Sequence, residues 1–289
     1  MPTAHTAPTP AASTYRADSS GKVACSTRSL PWRYAGAVEF DAALGDVTAR
    51  MRAIAVRRGY DQWLVRPSLT MTAQNGKSWH TTPRPAPNSF QHHYTPLAIS
   101  GPARVNGYLC LVRFATGNLA VLATYAGGAH CCTTMRMYDV TSRQASSVSL
   151  GNMMGRIVIV AGRPLIETRD DVFSYAFTDF ADSGAPIRLL EPISGRFRAV
   201  TRQFPALVRS DARTQWDMAQ KRTLKLGFYA AWAADEELLG RDTYVWKTME
   251  RLEKARGLDV PPSMRFNGWP DGAAYVKQLR RFLATYGYR

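Results

Sequence analysis

The stretch YLCLVRFATGNLAVLATYAGGAHCCTTMRMYDV, residues 108–140, indicates how this chain folds. Two apolar runs, YLCLVRF and NLAVLATY, are separated only by Ala115, Thr116 and Gly117. A third run, CCTTMRMYDV, is entered through a turn at Gly127 and Gly128. Short connections without an intervening helix favour antiparallel hairpins. The stretch therefore predicts a sheet built from consecutive strands.

Strand-like segments continue beyond this stretch to about residue 200. They are SSVSL, RIVIV, RPLIET, DVFSYAF, APIRLL and RFRAV, with an Ala161–Gly162 turn between the second and third. After about residue 211, apolar residues recur at helical spacing in three long segments. The predicted fold class is β-rich α+β, with an antiparallel meander that is β-propeller-like or sandwich-like and a C-terminal helical cap.

The pattern divides the chain into three regions. Residues 1–22 are rich in Pro, Ala, Thr and Ser and predict a disordered tail or linker. Residues 23–205 predict the β-rich domain, with the propeller-like meander over 105–205, and residues 206–289 predict the helical C-terminal region. Inside the β-rich domain, GDVTARMRAIAVRRGY predicts a helix near residues 46–58 with Asp46 as its N-cap. Asn75–Gly76 predicts a type I′ hairpin turn.

The composition favours a folded, basic, water-exposed protein. The 289 residues include 37 Lys and Arg against 22 Asp and Glu, which gives a formal net charge of +15. This imbalance favours anionic partners such as acidic polymers, acidic proteins or nucleic acid. No run of five basic residues occurs, which favours a solvated face over a nucleic-acid groove. No apolar run approaches the ~20 residues of a membrane helix.

The N-terminal residues bear on export. They contain no apolar h-region, so the sequence as given carries no secretory signal. We expect the chain to be a mature form or to begin downstream of such a signal.

Four cysteines point to disulfide bonds and an oxidising compartment. An even count suggests two structural bridges among Cys25, Cys110, Cys131 and Cys132. The adjacent Cys131 and Cys132 either bond to Cys25 and Cys110 or form a vicinal disulfide with each other. A structural role is favoured over a catalytic one for these residues.

Catalytic and metal-binding chemistry has candidates but no complete motif. His130, Cys131 and Cys132 are candidates for a thiol-dependent site, yet consecutive strand residues do not converge on one substrate or zinc ion. The pair His92–His93 meets the same objection. Calcium candidates are Asp170, Asp171, Asp179 and Asp182, which Asx-turn capping explains equally well. No cofactor motif occurs, and none is predicted.

Aromatic residues are frequent in the predicted helices. They are Trp216, Phe228, Tyr229, Trp232, Trp246 and Tyr275. At helical spacing such residues are more often core than ligand groove, and we predict that they belong to the core.

The segment YAGGAHCC, residues 125–132, resembles a motif of uncharacterised bacterial exported proteins, where it lies in a β-propeller-like, FG-GAP-like domain. DDVFSYAFTDFADSGAPIRLL and WPDGAAYVKQLRRFLATYGY resemble the blade and the helical tail of the same family. The resemblance covers roughly residues 105–289. It implies a periplasmic, cell-envelope or extracellular protein and assigns no reaction.

The sequence favours a non-catalytic exported protein that acts as an interaction or scaffolding module in the cell envelope. Its basic surface would bind an anionic envelope polymer or an acidic protein. The alternatives are a thiol-dependent oxidoreductase or hydrolase at His130, Cys131 and Cys132, and a nucleic-acid-binding protein.

Overall fold

A computed structural model describes most of the chain as strands followed by helices. The described residues are 15–17, 21–26, 34–58, 61–83, 93–95, 97–100, 105–107, 109–125, 132–193 and 195–289. Within them the chain forms 17 β-strands and four α-helices, and all four helices follow the last strand. The prediction of a β-rich fold with C-terminal helices is confirmed.

The largest sheet, sheet A, contains seven of the described strands. They are β1 (Tyr15–Ala17), β2 (Val23–Ser26), β7 (His93–Thr95), β10 (Cys110–Phe114), β11 (Gly117–Tyr125), β12 (Thr133–Asp139) and β13 (Ala145–Gly151). Their order is β1-β2-β10-β11-β12-β13, and β7 also pairs with β11. The β10–β11 hairpin predicted from the sequence is confirmed, with Phe114 opposite Gly117. The strands β10 to β13 are consecutive in the chain. β2 and β7 come from distant parts of the chain and pair with β10 and β11, respectively.

Two further sheets are formed. Sheet B is β3 (Gly36–Leu44), β4 (Val47–Arg58), β5 (Asp61–Thr72) and β6 (Ser78–Thr81), paired antiparallel in sequence order. Sheet C has the order β17-β16-β15-β14-β8-β9. Its strands are β8 (Leu97–Ser100), β9 (Val105–Gly107), β14 (Arg156–Val160), β15 (Arg163–Arg169), β16 (Ile187–Ile193) and β17 (Arg196–Ala199).

The three sheets depart from the predicted meander. β8 pairs with β14 in parallel, so a purely antiparallel meander is not formed. Among the described residues the three sheets form neither a closed barrel nor a propeller.

Sheets A and B share a hydrophobic core. Sheet B contributes the inward-facing residues of its alternating strands, including Phe40, Met51 and Leu69, each fully buried. Sheet A contributes Leu111 and Leu122 to the same cluster. Burial of each such large side chain stabilises the fold by roughly 1.5–3 kcal/mol. The opposite face of sheet A is buried as well, and it includes the side chains of Val112, Val121 and Met135. This explains why the strands of sheet A read as nearly continuous apolar runs.

The prediction of a helix near residues 46–58 is wrong, because Val47–Arg58 form strand β4. Ala49, Met51 and Ala53 are buried in alternation with exposed Arg50 and Arg52, which is the two-residue period of a strand. Val47, Met51 and Ala55, which lie four residues apart, also fit a helical stripe, so the sequence pattern was ambiguous. Hairpin pairing with β3 resolved it, since the two arginines face Asp41 and Glu39 across the ladder.

Other predictions are corrected in the same way. The prediction of a disordered tail over residues 1–22 is wrong for residues 15–17, which form β1 and pair with β2. Most of the other residues in this range lie outside the described residues. The Asn75–Gly76 hairpin is present, but only Gly76 has a positive φ, of 75°, so the turn is not type I′. The segment DVFSYAF is not a strand, since it begins with a short 3-10 helix at Asp171–Phe173.

Four α-helices follow the strands. They are α1 (Pro205–Lys221), α2 (Leu226–Leu238), α3 (Asp242–Lys254) and α4 (Gly272–Thr285). The chain divides into two compact units. The β unit contains the described residues up to Ile166 and Glu191–Arg198, and the helical unit contains Glu167–Leu190 and Ala199–Arg289. The predicted boundary at 205/206 is therefore corrected, because the helical unit includes residues that precede its helices. Its limits fall within β15, β16 and β17.

Candidate functional site

One end of the β unit is formed by neighbouring turns, which we call the turn end. It comprises Gly21–Lys22, Ala115–Thr116, Val140–Gln144, Ala161–Gly162 and Gly195. The turn at Ala161–Gly162 has positive φ at both residues, 47° and 73°, and this predicted turn is confirmed. Two-residue turns of this kind keep β14 and β15 tightly paired.

Contacts between the turns hold the turn end together. The Lys22 ammonium donates to the Gly162 carbonyl, and the Arg113 backbone N–H donates to the Lys22 carbonyl at 2.8 Å. The Thr116 hydroxyl donates to the Pro192 carbonyl at 3.5 Å. These contacts join sheets A and C at one end of the β unit.

The turn end is basic. Lys22, Arg113, Arg143, Arg163, Arg196 and Arg198 lie in it or at its margin. Glu191 is buried and accepts hydrogen bonds from Arg163 at 2.9 Å and Arg198 at 3.2 Å. Burial raises the pKa of Glu191, but the two guanidinium groups outweigh this and hold the pKa below its ordinary value. Arg113, Arg143 and Arg196 are exposed to solvent.

The charge of the whole chain is concentrated in the β unit. The sequence ranges of that unit carry 19 Lys and Arg against 7 Asp and Glu, while those of the helical unit carry 18 against 15. Inspection of the sequence for basic runs missed the turn end, because its basic residues are far apart along the chain. The usable signal was the position of Arg113 and Arg163, each of which lies within two residues of a predicted turn.

A pocket of about 380 Å³ opens at the turn end. Its wall includes Thr116, Asp139, Ser142, Gln144, Ser146 and Ile193. Asp139 Oδ1 accepts the backbone N–H groups of Thr141 and Ser142, both at 2.8 Å, which fixes the carboxylate and the turn that follows it. The wall therefore presents hydroxyl, amide and carboxylate groups on a rigid frame.

The predicted disulfide residues are partly located. Cys25 and Cys110 lie directly opposite each other on β2 and β10, and they are bonded. The pairing in which both bond to Cys131 and Cys132 is therefore not formed. Of the three intramolecular pairings of four cysteines, only the one that joins Cys131 to Cys132 contains a Cys25–Cys110 bridge.

The predicted thiol site lies mostly outside the described residues. This applies to Gly127, Gly128, His130 and Cys131, and to His92. Cys132 is described, lies just before β12 and is disulfide-bonded. No free cysteine occurs in the described part of the chain.

The calcium candidates do not converge on one site. Asp170 accepts a hydrogen bond from the Tyr288 hydroxyl at 2.7 Å, and Asp171 accepts one from the Ser174 hydroxyl at 2.9 Å. Asp179 accepts the backbone N–H of Asp182 at 2.9 Å. Across the described ranges, no group of three or more His, Cys, Asp or Glu residues is arranged to hold a metal ion.

Most of the predicted aromatic core residues are buried in the helical unit. Phe228, Tyr229, Trp232, Trp246 and Tyr275 are 7% exposed or less. Trp216 is partly buried and lies with its ring centroid 5.0 Å from that of Trp232. The Tyr275 hydroxyl donates to the Leu226 carbonyl at 2.7 Å, so its polar end is also satisfied internally.

A second cavity, of about 310 Å³, lies in the helical unit. Its polar side chains bond largely to the unit itself. Arg202 donates to the carbonyls of Leu238 at 3.2 Å and Tyr288 at 2.9 Å, and Asp170 is occupied by the Tyr288 hydroxyl. The turn-end pocket is therefore the better candidate for binding a ligand.

Two buried carboxyl groups in the helical unit have the residue types of an acid–base pair. Asp211 accepts hydrogen bonds from Arg169, from the Ile187 backbone N–H at 3.1 Å and from Gln215 at 3.4 Å. Burial raises the pKa of Asp235 well above its ordinary value, and the charge of Asp211 raises it further. Asp235 is 0% exposed and Asp211 is 6% exposed, so the pair is enclosed within the helical unit.

None of the helices in the described residues has the length and apolar character needed to cross a bilayer. No protein-family model and no solved structure matches the chain. The chain is similar to a probable thylakoid lumen protein of Synechocystis sp. (strain ATCC 27184 / PCC 6803 / Kazusa). The two are 24% identical over 276 residues, which cover 84% of this chain and 74% of that protein. The similarity is distant and assigns the chain to no family.

Proposed function

We propose that this protein is a non-catalytic, exported binding module of the cell envelope whose turn end binds an anionic envelope polymer. The observation that carries the proposal is the concentration of positive charge in the β unit, with 19 basic against 7 acidic residues. A surface of this kind attracts polyanions and raises their association rate.

Export is supported by three features. The Cys25–Cys110 bridge is typical of proteins that fold in an oxidising compartment. The similar protein of Synechocystis is named as a probable lumen protein, which is also an exported location. The resemblance of YAGGAHCC to exported bacterial proteins points the same way.

A binding role is favoured over catalysis by the state of the candidate reactive groups. Cys132 is bonded and carries no thiol that could act as a nucleophile. Asp211 and Asp235 are enclosed in the helical unit. The exposed guanidinium groups of the turn end are suited to contacting anionic groups without reacting with them.

Binding of the full chain to sodium polygalacturonate across a salt series tests the proposal. The affinity should fall as salt rises, because exposed charges are screened. Replacing Arg113, Arg143 and Arg196 together by Gln should weaken binding at low salt by roughly ten- to hundredfold, at about 0.5–1 kcal/mol for each exposed contact.

The matched control removes the same charge from the helical unit. Arg213, Lys247 and Arg281 are exposed there, and their joint replacement by Gln should change the affinity less than twofold, or about 0.4 kcal/mol. An affinity that does not change with salt concentration, or an equal loss of affinity in both triple variants, would contradict the proposed role of the turn end.

A further inference from the structure

The turn-end pocket has a chemistry different from that of the arginines around it. Thr116, Ser142 and Ser146 supply hydroxyl groups, and Gln144 supplies an amide. Hydroxyls and amides both donate and accept hydrogen bonds, which matches a ligand rich in hydroxyl groups. A volume of about 380 Å³ lies within the range of small-ligand pockets.

Asp139 determines which part of a ligand the pocket admits. Its Oδ1 is used by the turn, and Oδ2 accepts no hydrogen bond within the described residues. A free carboxylate oxygen repels phosphate, sulfate or another carboxylate, but it accepts hydrogen bonds from hydroxyl groups. The pocket is thus suited to the neutral, hydroxyl-bearing part of a molecule.

Positive charge lies at the margin of this pocket. Arg143 is exposed and stands between the wall residues Ser142 and Gln144, and exposed Arg196 follows Gly195, which also lines the pocket. Arg143 has a φ of 62°, a left-handed conformation that costs a non-glycine residue roughly 1–2 kcal/mol. Strain of this kind persists where the surrounding structure holds it, often at binding sites.

We propose that the pocket seats one sugar residue of an acidic polysaccharide. Its ring hydroxyls bond to Asp139, Ser146 and Gln144, and its acid group faces Arg143 and Arg196. This inference rests on the proposed function and names the class of its anionic polymer. The Asp139 carboxylate favours this class over a polyphosphate, whose charged groups leave no neutral part for the pocket.

The test compares two probes with the same number of charges, a galacturonate oligomer and inorganic polyphosphate. The full-length protein should bind the galacturonate oligomer at least about tenfold more tightly. Ser146→Leu, which fills the pocket, should remove this preference and leave polyphosphate binding within about twofold. Ser147→Leu is the matched control, since it changes the next residue of β13, whose side chain is exposed on the opposite face.

Thermal unfolding would reveal whether Ser146→Leu fails to fold, and in that case a second variant tests the inference. Gln144→Ala removes the amide from a turn position and should reduce galacturonate binding by about fivefold, without affecting polyphosphate. Equal binding of both probes to the wild-type protein, or an unchanged preference in Ser146→Leu or Gln144→Ala, overturns the inference while leaving the proposed function intact. Failure to bind either probe overturns both.

Discussion

Asp235 shows how a single buried group makes stability depend on pH. The carboxyl group is fully enclosed, and neither of its oxygens has a hydrogen-bond partner among the described residues. Two ionised carboxylates cannot hydrogen-bond to each other, because each only accepts. Protonation of Asp235 supplies a donor toward Asp211, whose Oδ2 also accepts a hydrogen bond from Arg169. The folded protein therefore holds a proton that the unfolded chain releases near the ordinary aspartate pKa of about 3.9.

The sign of the pH effect follows from linkage. Because the pKa of Asp235 is higher in the folded state, its contribution to stability is fully present below about pH 3.9 and is lost as pH rises toward the folded-state value. Asp235→Asn keeps the shape, donates an N–H toward Asp211 and does not titrate. We expect it to raise the free energy of unfolding at pH 8 by about 1–3 kcal/mol in urea denaturation.

Urea denaturation at both pH 5 and pH 8 separates the titration of Asp235 from effects of the substitution that do not depend on pH. The difference between the two pH values should be smaller in Asp235→Asn than in the wild-type protein. Asp217→Asn is the control, since Asp217 is exposed on α1 and should behave like wild type. A destabilised Asp235→Asn at pH 8 would mean that the charged form is the one stabilised by the fold.

At the scale of elements, β4 illustrates where sequence patterns are ambiguous. Val47, Met51 and Ala55 lie four residues apart, so they fit both a helical stripe and every second position of a strand. The choice was made by hairpin formation across Gly45, whose φ of 61° suits a two-residue turn, and by charge pairs to β3. Local propensity is weak enough for such tertiary contacts to override it.

The start of α2 is set by two glycines that approach each other. A Cβ atom on Gly227 would lie 2.5 Å from the Asp182 carbonyl oxygen and 2.7 Å from Thr178 Oγ1, and one on Gly184 would lie 2.7 Å from Phe228 Cα. The loop that contains Asp182 therefore packs directly against the first turn of the helix. No local pattern in the sequence predicts this contact, because Gly184 and Gly227 lie far apart in the chain.

Gly227→Ala tests this packing against helix propensity. Alanine favours a helix over glycine by up to about 1 kcal/mol, whereas forcing a methyl group against a backbone oxygen costs about 1–3 kcal/mol. We expect a net loss of about 1–2 kcal/mol in the free energy of unfolding, measured by chemical denaturation.

Ser210→Ala on the exposed side of α1 is the control for propensity alone, and it should be neutral or slightly stabilising. A Gly227→Ala protein as stable as this control would show that the loop yields without cost.

At the scale of the whole molecule, the Cys25–Cys110 bridge joins parts of sheet A that are 85 residues apart. Removing both cysteines as Cys25→Ala/Cys110→Ala should lower the free energy of unfolding by about 2–5 kcal/mol, since the unfolded chain regains the freedom of a long loop. Chemical denaturation with and without reductant measures this. Reductant should destabilise the wild-type protein more than the double variant.

Peptide mapping of the non-reduced protein checks the connectivity independently. It should recover a linked pair of peptides that contain Cys25 and Cys110. A link from Cys25 to Cys131 or Cys132 instead would contradict the pairing observed between β2 and β10.

The sequence by itself determined the class of the fold, the position of the C-terminal helices and several hairpins. Those features depend on residues close together in the chain, such as Ala115–Gly117 and Ala161–Gly162. Only the tertiary structure decided the sheet order, the Cys25–Cys110 bridge and the turn end. β2 reaches β10, and Arg113 reaches Lys22, across separations that no local pattern records. Strand pairing between distant segments depends on the shared burial of their side chains, and that energy exists only once the sheets have packed.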